Sequence, residues 1–529
     1  MVIIAKPGSG KTLVLSEKIR GVLPGIARHQ GVIAISYTNK ASDELKRRST
    51  RGGIDRKSSF FGTIDKFCDG EIIIPFLRQL WGKPENEVNV RKYVSLSEEE
   101  KGAIPDPGRS SIPAEDVADN LDQIRRLFLD GTLVLDATGA LAVYVLNNSE
   151  PCRRYLISRY THILIDEYQD AGPEQHALFL RMKDLGMTAV AVGDADQSIF
   201  KFSGKDSRFL LELAKRDDFR SMPVNYNHRC HPSIINYSQR LLNENAEVLD
   251  TEECRVFLKA TQGDQKAIAQ WIDSYLSTAM TAYDVRNNCE VGILVRNNLS
   301  GELVSGSFGT PHRLFVTHPL EDHFSLWGGL FCRLLTYRYD DRATIQDIID
   351  ASRGSLSSGD SRKVRQRIRA LRNCEHAELL LLIEEIASIL EPGSHDDGAL
   401  RILEESGENG LAASFSPANE DEVQVMSIHK AKGLEFDLVF QLDLYEWSFP
   451  AKGPGPDDDW DNLVFHDWNQ DLNLHYVAIT RARKACVLCS STRRTKKKWQ
   501  SEELETKNGR PSEFLSLSGL PALRKELGS

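Results

Sequence analysis

Residues that could bind a phosphate group lie near the start of the chain. Segment 5–12 reads Ala-Lys-Pro-Gly-Ser-Gly-Lys-Thr and directly follows an apolar run. Gly8 and Gly10 allow positive φ angles and a close approach to an anion, so successive N–H groups can point at phosphate oxygens. Lys11 would supply positive charge to the β- and γ-phosphates, and Thr12 would supply an oxygen to Mg²⁺.

The segment matches the phosphate-loop pattern G-x-x-x-x-G-K-[ST], with Ala5 in the place of the first glycine. A chance glycine-rich turn between a strand and a helix is the alternative. The predicted strand at 2–4 and the predicted helix at 13–22 favour a nucleotide-binding loop. The residues expected to surround the phosphates are Ala5, Gly8, Ser9, Gly10, Lys11 and Thr12.

Two carboxylates end another apolar run, 162–165. In a parallel sheet the C-terminal ends of the strands face the ligand, so Asp166 would hold Mg²⁺ through water and Glu167 would orient and polarise the attacking water. A surface acidic pair is the alternative, but a phosphate loop needs such a partner. Gln197 follows the apolar run 189–193 and could reach the γ-phosphate.

Alternating strands and helices must position these residues. A strand at 31–37 and a charged amphipathic helix at 38–48 repeat the first strand and helix, which predicts a parallel α/β sheet. Strands at 291–295 and 423–427 predict a second α/β core. The predicted divisions are 1–68 and 160–221 for the first core, 69–159 for a helical insertion into it, 222–310 and 419–529 for the second core, and 311–418 for a second helical insertion.

Composition sets further limits. A chain of 529 residues is too long for one hydrophobic core. It contains no apolar run long enough to span a membrane and no signal peptide, so a cytoplasmic protein without a membrane partner is expected. The formal net charge of −10 means that any polynucleotide must bind in a local groove.

Seven segments, in their order along the chain, resemble the motif series of superfamily 1 DNA helicases of the UvrD/Rep/PcrA type. One such motif alone would be weak, but seven in the right order leave little room for another superfamily. The resemblance implies two RecA-like P-loop domains that use ATP and Mg²⁺ to move on DNA. The segments are 5–12, 37–41, 166–170 with Gln175, 192–200, 227–230, 428–435 and 476–482.

The resemblance also implies individual roles at the nucleotide. Gln197 is similar to the family's γ-phosphate sensor, and Arg229 and Arg481 to two arginines that reach across the cleft to the γ-phosphate. Glu435 resembles the residue that contacts the sugar, and His228 replaces the usual aromatic residue of the nucleotide site. Because both arginines would come from the second core, hydrolysis would require the two domains to close.

Five residues lie in motifs that line the DNA channel of the family: Thr38, Asn39, Phe200, Phe202 and His429. Aromatic stacking on bases tolerates any sequence, which suits a translocase. Packing in the core is the alternative for the two phenylalanines.

At two positions the residue differs from the family's, and both differences lower the expected affinity for DNA. Asp65 stands where these helicases carry a DNA-contacting histidine, and Ser203 where they carry an arginine. Both changes remove positive or donor character from the channel, which puts strongly processive unwinding in doubt. The basic run 493–498 is interpreted as a solvated face rather than a DNA site.

Segments 62–67, 71–76 and 158–160 resemble more narrowly the helicase-like subunits of the Gabija anti-phage system. That resemblance implies an ATP-dependent translocase acting on single-stranded DNA or single-stranded ends. Its partner would be a nuclease subunit that joins an ATPase to a TOPRIM domain. Two alternatives remain: a free-standing DNA-repair helicase, and a regulatory subunit that hydrolyses nucleotide without productive unwinding.

Overall fold

The structure of the protein is a computed structural model. It describes the chain except residues 38, 87, 103, 109–110, 200–203, 225, 324, 352–357, 393–394, 456–458, 499–500 and 529, and except the side chains of residues 39, 40, 350, 351, 358 and 460.

The strands come mainly from short runs rich in Val and Ile, such as Val-Ile-Ile-Ala in the first of them. Near-continuous apolar runs of this kind are typical of strands buried on both faces of a parallel sheet. Within the described residues they are β1 (Val2–Ala5), β2 (Gly31–Ile35), β3 (Phe60–Gly62), β4 (Asn89–Arg91), β5 (Thr132–Val134), β6 (Tyr160–Ile165), β7 (Thr188–Gly193), β8 (Ser221–Val224), β9 (Val256–Thr261), β10 (Val291–Val295), β11 (His312–Phe315), β12 (Val423–Ser427), β13 (Phe436–Gln441), β14 (Lys452–Gly455), β15 (Asp459–Phe465), β16 (Ala482–Ser491), β17 (Arg493–Lys497), β18 (Leu504–Asn508) and β19 (Lys525–Glu526).

The helices bury one face and leave the other to solvent, as surface helices of α/β proteins do. Within the described residues they are α1 (Lys11–Val22), α2 (Asn39–Ser49), α3 (Ile64–Phe67), α4 (Ile74–Trp81), α5 (Glu98–Lys101), α6 (Ala114–Asp119), α7 (Leu121–Leu129), α8 (Thr138–Asn148), α9 (Glu150–Arg159), α10 (Pro173–Asp184), α11 (Arg208–Lys215), α12 (Pro232–Leu242), α13 (Gln265–Ala282), α14 (Asn298–Ser305), α15 (Pro319–Asp322), α16 (Leu326–Tyr339), α17 (Ile345–Ala351), α18 (Ser358–Ala370), α19 (His376–Leu390), α20 (Asp397–Phe415, broken at Gly407) and α21 (Trp468–Ile479).

The first large sheet has the strand order β3-β2-β6-β7-β1-β8, and all of its strands are parallel. The C-terminal ends of its strands therefore meet at one edge, where ligands bind in folds of this type. The predicted division at 221/222 falls inside β8, because Ser221–Val224 pairs with β1. The first sheet thus continues three residues past that division.

The second large sheet has the order β11-β12-β10-β13-β16-β9-β19 and is also parallel throughout. The predicted α/β class with two parallel sheets is confirmed. The predicted start of the second insertion, 311, comes just before β11, and His312–Phe315 pairs with β12 in the sheet. Residues of that strand therefore belong to the sheet.

A helical insertion interrupts each sheet. Helices α3 to α9, with the small parallel pair β4 and β5, lie between β3 and β6, and α15 to α20 lie between β11 and β12. The first insertion shares a continuous hydrophobic core with the first sheet, including Phe76, Trp81 and Leu141. The second insertion has a core of its own around Trp327 and Phe331.

The parts of the chain built on the first and second large sheets are called here the first and second units. Two antiparallel hairpins of the second unit, β14–β15 and β17–β18, form separate two-stranded sheets. The basic run predicted to be a solvated face lies largely on β17, where Lys497 pairs with Glu502 and Lys496 with Glu505. Acidic partners thus neutralise much of its charge. Among the described residues, no helix combines the length and the apolar character needed to cross a bilayer.

Candidate active site

The phosphate loop lies between β1 and α1 at the ligand-binding edge of the first sheet. Gly8 and Gly10 take φ angles of 68° and 82°, which an L side chain rarely adopts. Lys11 is the first residue of α1, and no side chain caps this helix terminus. Its free N–H groups and the positive end of the helix dipole are available to an anion.

Thr12 and Asp166 form the part of the site that could hold a metal ion. The Thr12 hydroxyl donates to Asp166 Oδ2 over 3.0 Å, and Asp166 is buried at the end of β6. Burial, and then the charge of Glu167, raise the pKa of the Asp166 carboxyl. A divalent cation would relieve both effects, and a hydroxyl next to a carboxylate is a donor set that Mg²⁺ accepts.

Glu167 has a left-handed backbone with φ 53° and ψ 41°. Burial by itself would raise the pKa of its carboxyl. The positive charges of Lys11, Lys432 and Arg481, together with a hydrogen bond from Gln169, outweigh burial and lower that pKa. The group therefore stays ionised and can accept a hydrogen bond from water.

Gln169 is fully buried and holds Glu167 in place. Its Nε2 donates to Glu167 Oε2, while its Oε1 accepts the N–H of Asp194 over 2.9 Å. The side chain therefore ties the loop after β6 to the loop after β7. The sequence gives Gln169 no role within its motif, and its spacing of two residues from Glu167 is the only signal.

Several buried polar atoms around this edge have no hydrogen-bond partner among the described residues. One lies in the phosphate loop, two lie in the segment after β7, and one lies in the segment after β8. They are Ser9 Oγ, Asp194 Oδ2, Gln197 Nε2 and Arg229 Nε. Buried polar atoms are normally satisfied. A nucleotide phosphate with its cation would supply acceptors for the donors and a positive partner for the carboxylate, so the residues present fit ATP.

The segment carrying His228 and Arg229 packs directly on the phosphate loop. The His228 N–H donates to the Gly8 carbonyl over 2.9 Å. A Cβ on Gly8 would lie 2.3 Å from Asn227 Oδ1 and 2.6 Å from Arg229 Cβ, so only glycine fits. The Arg229 guanidinium pairs with Glu435. The His228 ring lies 4.4 Å from that of Tyr226.

Arg481 is almost fully buried just after α21. Its Nε donates to the Val477 carbonyl over 3.1 Å and its Nη1 to the Leu434 carbonyl over 3.2 Å. Burial, and then the nearby Arg229, lower its pKa to about 10, which leaves it charged at neutral pH. Its positive charge also contributes to the lowered pKa of Glu167.

The residues expected to contact DNA can be placed only in part. Thr38, Phe200 and Phe202, like the departing Ser203, lie outside the described residues. Asn39 begins α2, and its side chain is not described. Burial, and then the charges of Arg296 and Lys432, lower the pKa of His429 to about 4, so this imidazole is neutral.

Two further residues near these motifs were not foreseen from the sequence. Lys205 Nζ lies over the Tyr37 ring, 3.9 Å from its centroid, and its positive charge acts on Asp65. Lys432, from the second unit, donates to Asp170 and to the Gln197 carbonyl of the first. Neither contact leaves a local signal in the sequence, because each joins segments far apart along the chain.

The fold and this pocket define a class of protein: a P-loop nucleoside triphosphatase built on two RecA-like sheets. Comparison with known families narrows the class. Residues 1–73 and 116–218 match the UvrD/REP helicase N-terminal domain, and residues 337–493 match the UvrD-like helicase C-terminal domain, together more than half of the chain. The chain belongs to the UvrD-like helicase family and is an ATP-hydrolysing enzyme of that family.

Individual relatives agree with this assignment. The Gabija protein GajB of Bacillus cereus is 26% identical, and the match covers 92% of each chain. ATP-dependent DNA helicase UvrD2 of Mycobacterium tuberculosis is 23% identical over 97% of this chain and 79% of its own length. ATP-dependent DNA helicase PcrA of Staphylococcus aureus is 22% identical, over 93% and 81% respectively.

Proposed function

We propose that the chain is a Mg²⁺- and ATP-dependent DNA translocase that acts with a GajA-type nuclease subunit, an ATPase joined to a TOPRIM domain, in Gabija-type anti-phage defence. The observation that carries the motor assignment is the contact between the Gly8 loop and the segment bearing Arg229. Arg229, which also contacts Glu435 and the Thr480 carbonyl of the second unit, packs against the phosphate loop there. The similarity to GajB along 92% of both chains supports the narrower role.

Each side chain has a distinct task in hydrolysis. When bound, ATP would supply the scissile phosphoanhydride bond, and Mg²⁺ would neutralise part of the negative charge of the triphosphate. Lys11 and the amides at the start of α1 would bind the phosphates, and Thr12 and Asp166 would hold the cation. The ionised Glu167 carboxylate accepts a hydrogen bond from the attacking water and so fixes its direction.

Arg229 and Arg481 would stabilise the negative charge that grows on the γ-phosphate, since phosphoryl transfer depends mainly on positioning and electrostatics. Gln197 Nε2 would donate to the same group, and Glu435 and His228 would lie at the sugar and the base. Arg481 follows α21 of the second unit, and Arg229 contacts Glu435 and the Thr480 carbonyl of that unit, so hydrolysis would be linked to closure. Alternate closing and opening would move the protein along a strand of DNA bound by Thr38, Asn39, Phe200, Phe202 and His429.

Steady-state ATPase assays with and without single-stranded DNA test the motor. We expect stimulation by DNA, and a fall in kcat of about 10²-fold or more for Lys11→Ala and for Glu167→Ala. Lys18→Ala is the matched control, because Lys18 lies two turns further along α1 and is predicted to leave the rate unchanged. Wild-type turnover by Glu167→Ala would refute its role at the attacking water.

Co-expression with the nuclease subunit tests the narrower role. We expect a stable complex on size exclusion and DNA cleavage that responds to ATP. A chain that remains alone but unwinds tailed duplexes efficiently would instead be a free-standing repair helicase. Nuclease binding with ATP hydrolysis but no translocation would indicate a regulatory subunit. Asp65, which stands where the family carries a DNA-contacting histidine, would favour this hypothesis.

A further inference from the structure

One lysine of the second unit reaches into the catalytic edge of the first. Lys432 follows β12 and lies just before Gly433, which has a φ of 86°. Its Nζ donates both to Asp170 Oδ2 and to the Gln197 main-chain carbonyl, the latter over 3.0 Å. The lysine side chain is 12% exposed and the Asp170 side chain is not exposed at all.

The two acceptors of Lys432 belong to the two catalytic loops. Asp170 closes the short helical turn that follows Glu167, and its N–H donates to the Glu167 carbonyl over 2.9 Å. Gln197 ends the turn after β7, and its buried Nε2 is without a partner among the described residues. A single ammonium group therefore fixes the loop of the water-orienting carboxylate and the loop of the γ-phosphate sensor relative to each other.

This contact can exist only while the two units are together. Separation would break the ion pair between Lys432 and the Asp170 carboxylate and leave Lys205 as the remaining cation that acts on that carboxylate, which is unfavourable. Separation would also withdraw from Glu167 two of the positive charges that lower its pKa, those of Lys432 and Arg481. The ion pair therefore favours the closed arrangement and links closure to the geometry of the loop that bears Glu167.

We infer that Lys432 is the positioning residue through which the second unit aligns the two catalytic loops, a role that rests on the proposed ATP hydrolysis. Lys432 does not have to touch the nucleotide to act in this way. Its loss should therefore reduce turnover much more than nucleotide binding, because misplacing a catalytic group by about 1 Å can cost about 100-fold in rate. A purely structural lysine would instead affect stability, or kcat and affinity together.

Lys430 provides a matched control from the same segment. Its Nζ donates to the Val316 carbonyl over 2.7 Å and lies 3.4 Å from a carboxylate oxygen of Glu321, both in the second half of the chain. It is also a partly buried lysine in an ion pair, but the contacts described for it do not cross to the first sheet. Lys430→Ala should leave kcat close to the wild-type value.

The test compares DNA-stimulated kcat, KM for ATP and affinity for a fluorescent ADP analogue in Lys432→Ala, Lys432→Arg, Asp170→Asn and Lys430→Ala. We expect kcat to fall about 100-fold in Lys432→Ala with nucleotide affinity nearly unchanged, and to recover in part in Lys432→Arg. Lys432→Ala combined with Asp170→Asn should be no slower than Lys432→Ala alone. Wild-type kcat in Lys432→Ala, or equal losses in kcat and affinity, would overturn the role.

A second measurement separates this inference from the proposed function. Small-angle X-ray scattering with ADP and aluminium fluoride should show a compacted wild-type chain and a Lys432→Ala chain that fails to compact. If the wild type does not hydrolyse ATP, the proposed function fails, and the scattering result still decides whether Lys432 controls closure. If Lys432→Ala does not fold, Lys432→Arg and Asp170→Asn carry both tests, and wild-type behaviour in both would overturn the role.

Discussion

At the scale of single residues, we expect the site to depend on Gln169, a residue that holds the Glu167 carboxylate. Gln169 bridges Glu167 and the main chain of Asp194 from a fully buried position. Gln169→Leu fills the same space without either hydrogen bond. We predict that kcat falls about 10–100-fold while nucleotide affinity stays nearly unchanged. A loss of this size is usual when a residue that orients a functional side chain, here the Glu167 carboxylate, is removed. Steady-state kinetics and equilibrium nucleotide binding measure the two effects.

Gln175→Ala is the matched control for Gln169→Leu. The Gln175 side chain accepts the N–H of Gly172 at the start of α10 and makes no described contact with the catalytic loops. Its loss should lower stability by about 1 kcal/mol, the cost of a missing helix cap, and leave kcat alone. Equal losses of kcat in the two variants would show that Gln169 acts only through folding.

Local patterns made some residues of the site predictable. Asp166 and Glu167 directly follow an apolar strand, and Lys11 and Thr12 end a glycine-rich loop that begins at another. Because the ends of parallel strands converge on one edge, residue types and positions predict that these four lie at a shared site. The contacts of Gln169 and Lys432 could not be predicted in this way. They depend on how loops from different strands pack, and this is not encoded in any short window of sequence.

At the scale of elements, the phosphate loop packs tightly against residues 227–229. Gly8→Ala places a Cβ against Asn227 and Arg229 at a φ of 68°, where a side chain costs about 1–3 kcal/mol even in open space. We predict that the substitution holds the Arg229 segment away, so that hydrolysis is lost while nucleotide affinity falls less. ATPase assays and nucleotide titrations test this split.

Gly21→Ala is the control for Gly8→Ala. Gly21 lies on α1, its φ is not positive, and a Cβ there would meet nothing within 4 Å. Alanine should be neutral or slightly stabilising at a helical position of this kind. Normal hydrolysis in Gly8→Ala would contradict the tight packing between the loop and residues 227–229.

The elements that could be predicted are those with strong patterns. The apolar runs of β1, β2, β6, β7 and β10 indicate buried parallel strands, and α19 follows its helical period. The short strands β8 and β11 were not predicted, and the division predicted at 221/222 falls inside β8. Only their pairing with β1 and β12 makes these two segments strands. Strand pairing depends on tertiary structure, and segments of four residues that mix polar and apolar side chains do not reveal it.

At the scale of the whole molecule, buried neutral histidines make the fold sensitive to acid. His475 lies on α21 in the core of the second unit, where its Nδ1 hydrogen-bonds Gln441 over 3.0 Å and its ring stacks on Phe514. Burial, and then the charge of Arg524, lower its pKa from 6.5 to about 3. The native state therefore excludes a proton that the unfolded chain binds below pH 6.5. Stability is lost progressively as pH falls from 6.5 through about 3, at up to about 1.4 kcal/mol per pH unit for this group.

His475→Asn keeps a hydrogen-bonding group near Gln441 and removes the titration. We predict a less stable protein at neutral pH, because ring packing is lost. The further loss of unfolding free energy on going from neutral pH to about pH 5 should be smaller than in the wild type by about 2 kcal/mol.

Urea unfolding at the two pH values measures that difference. His29→Asn is the control, because His29 is exposed and its replacement should leave the pH dependence unchanged. An acid response in His475→Asn as steep as that of the wild type would mean that other groups, such as the carboxylates that pair across the two units, dominate the acid sensitivity of the fold.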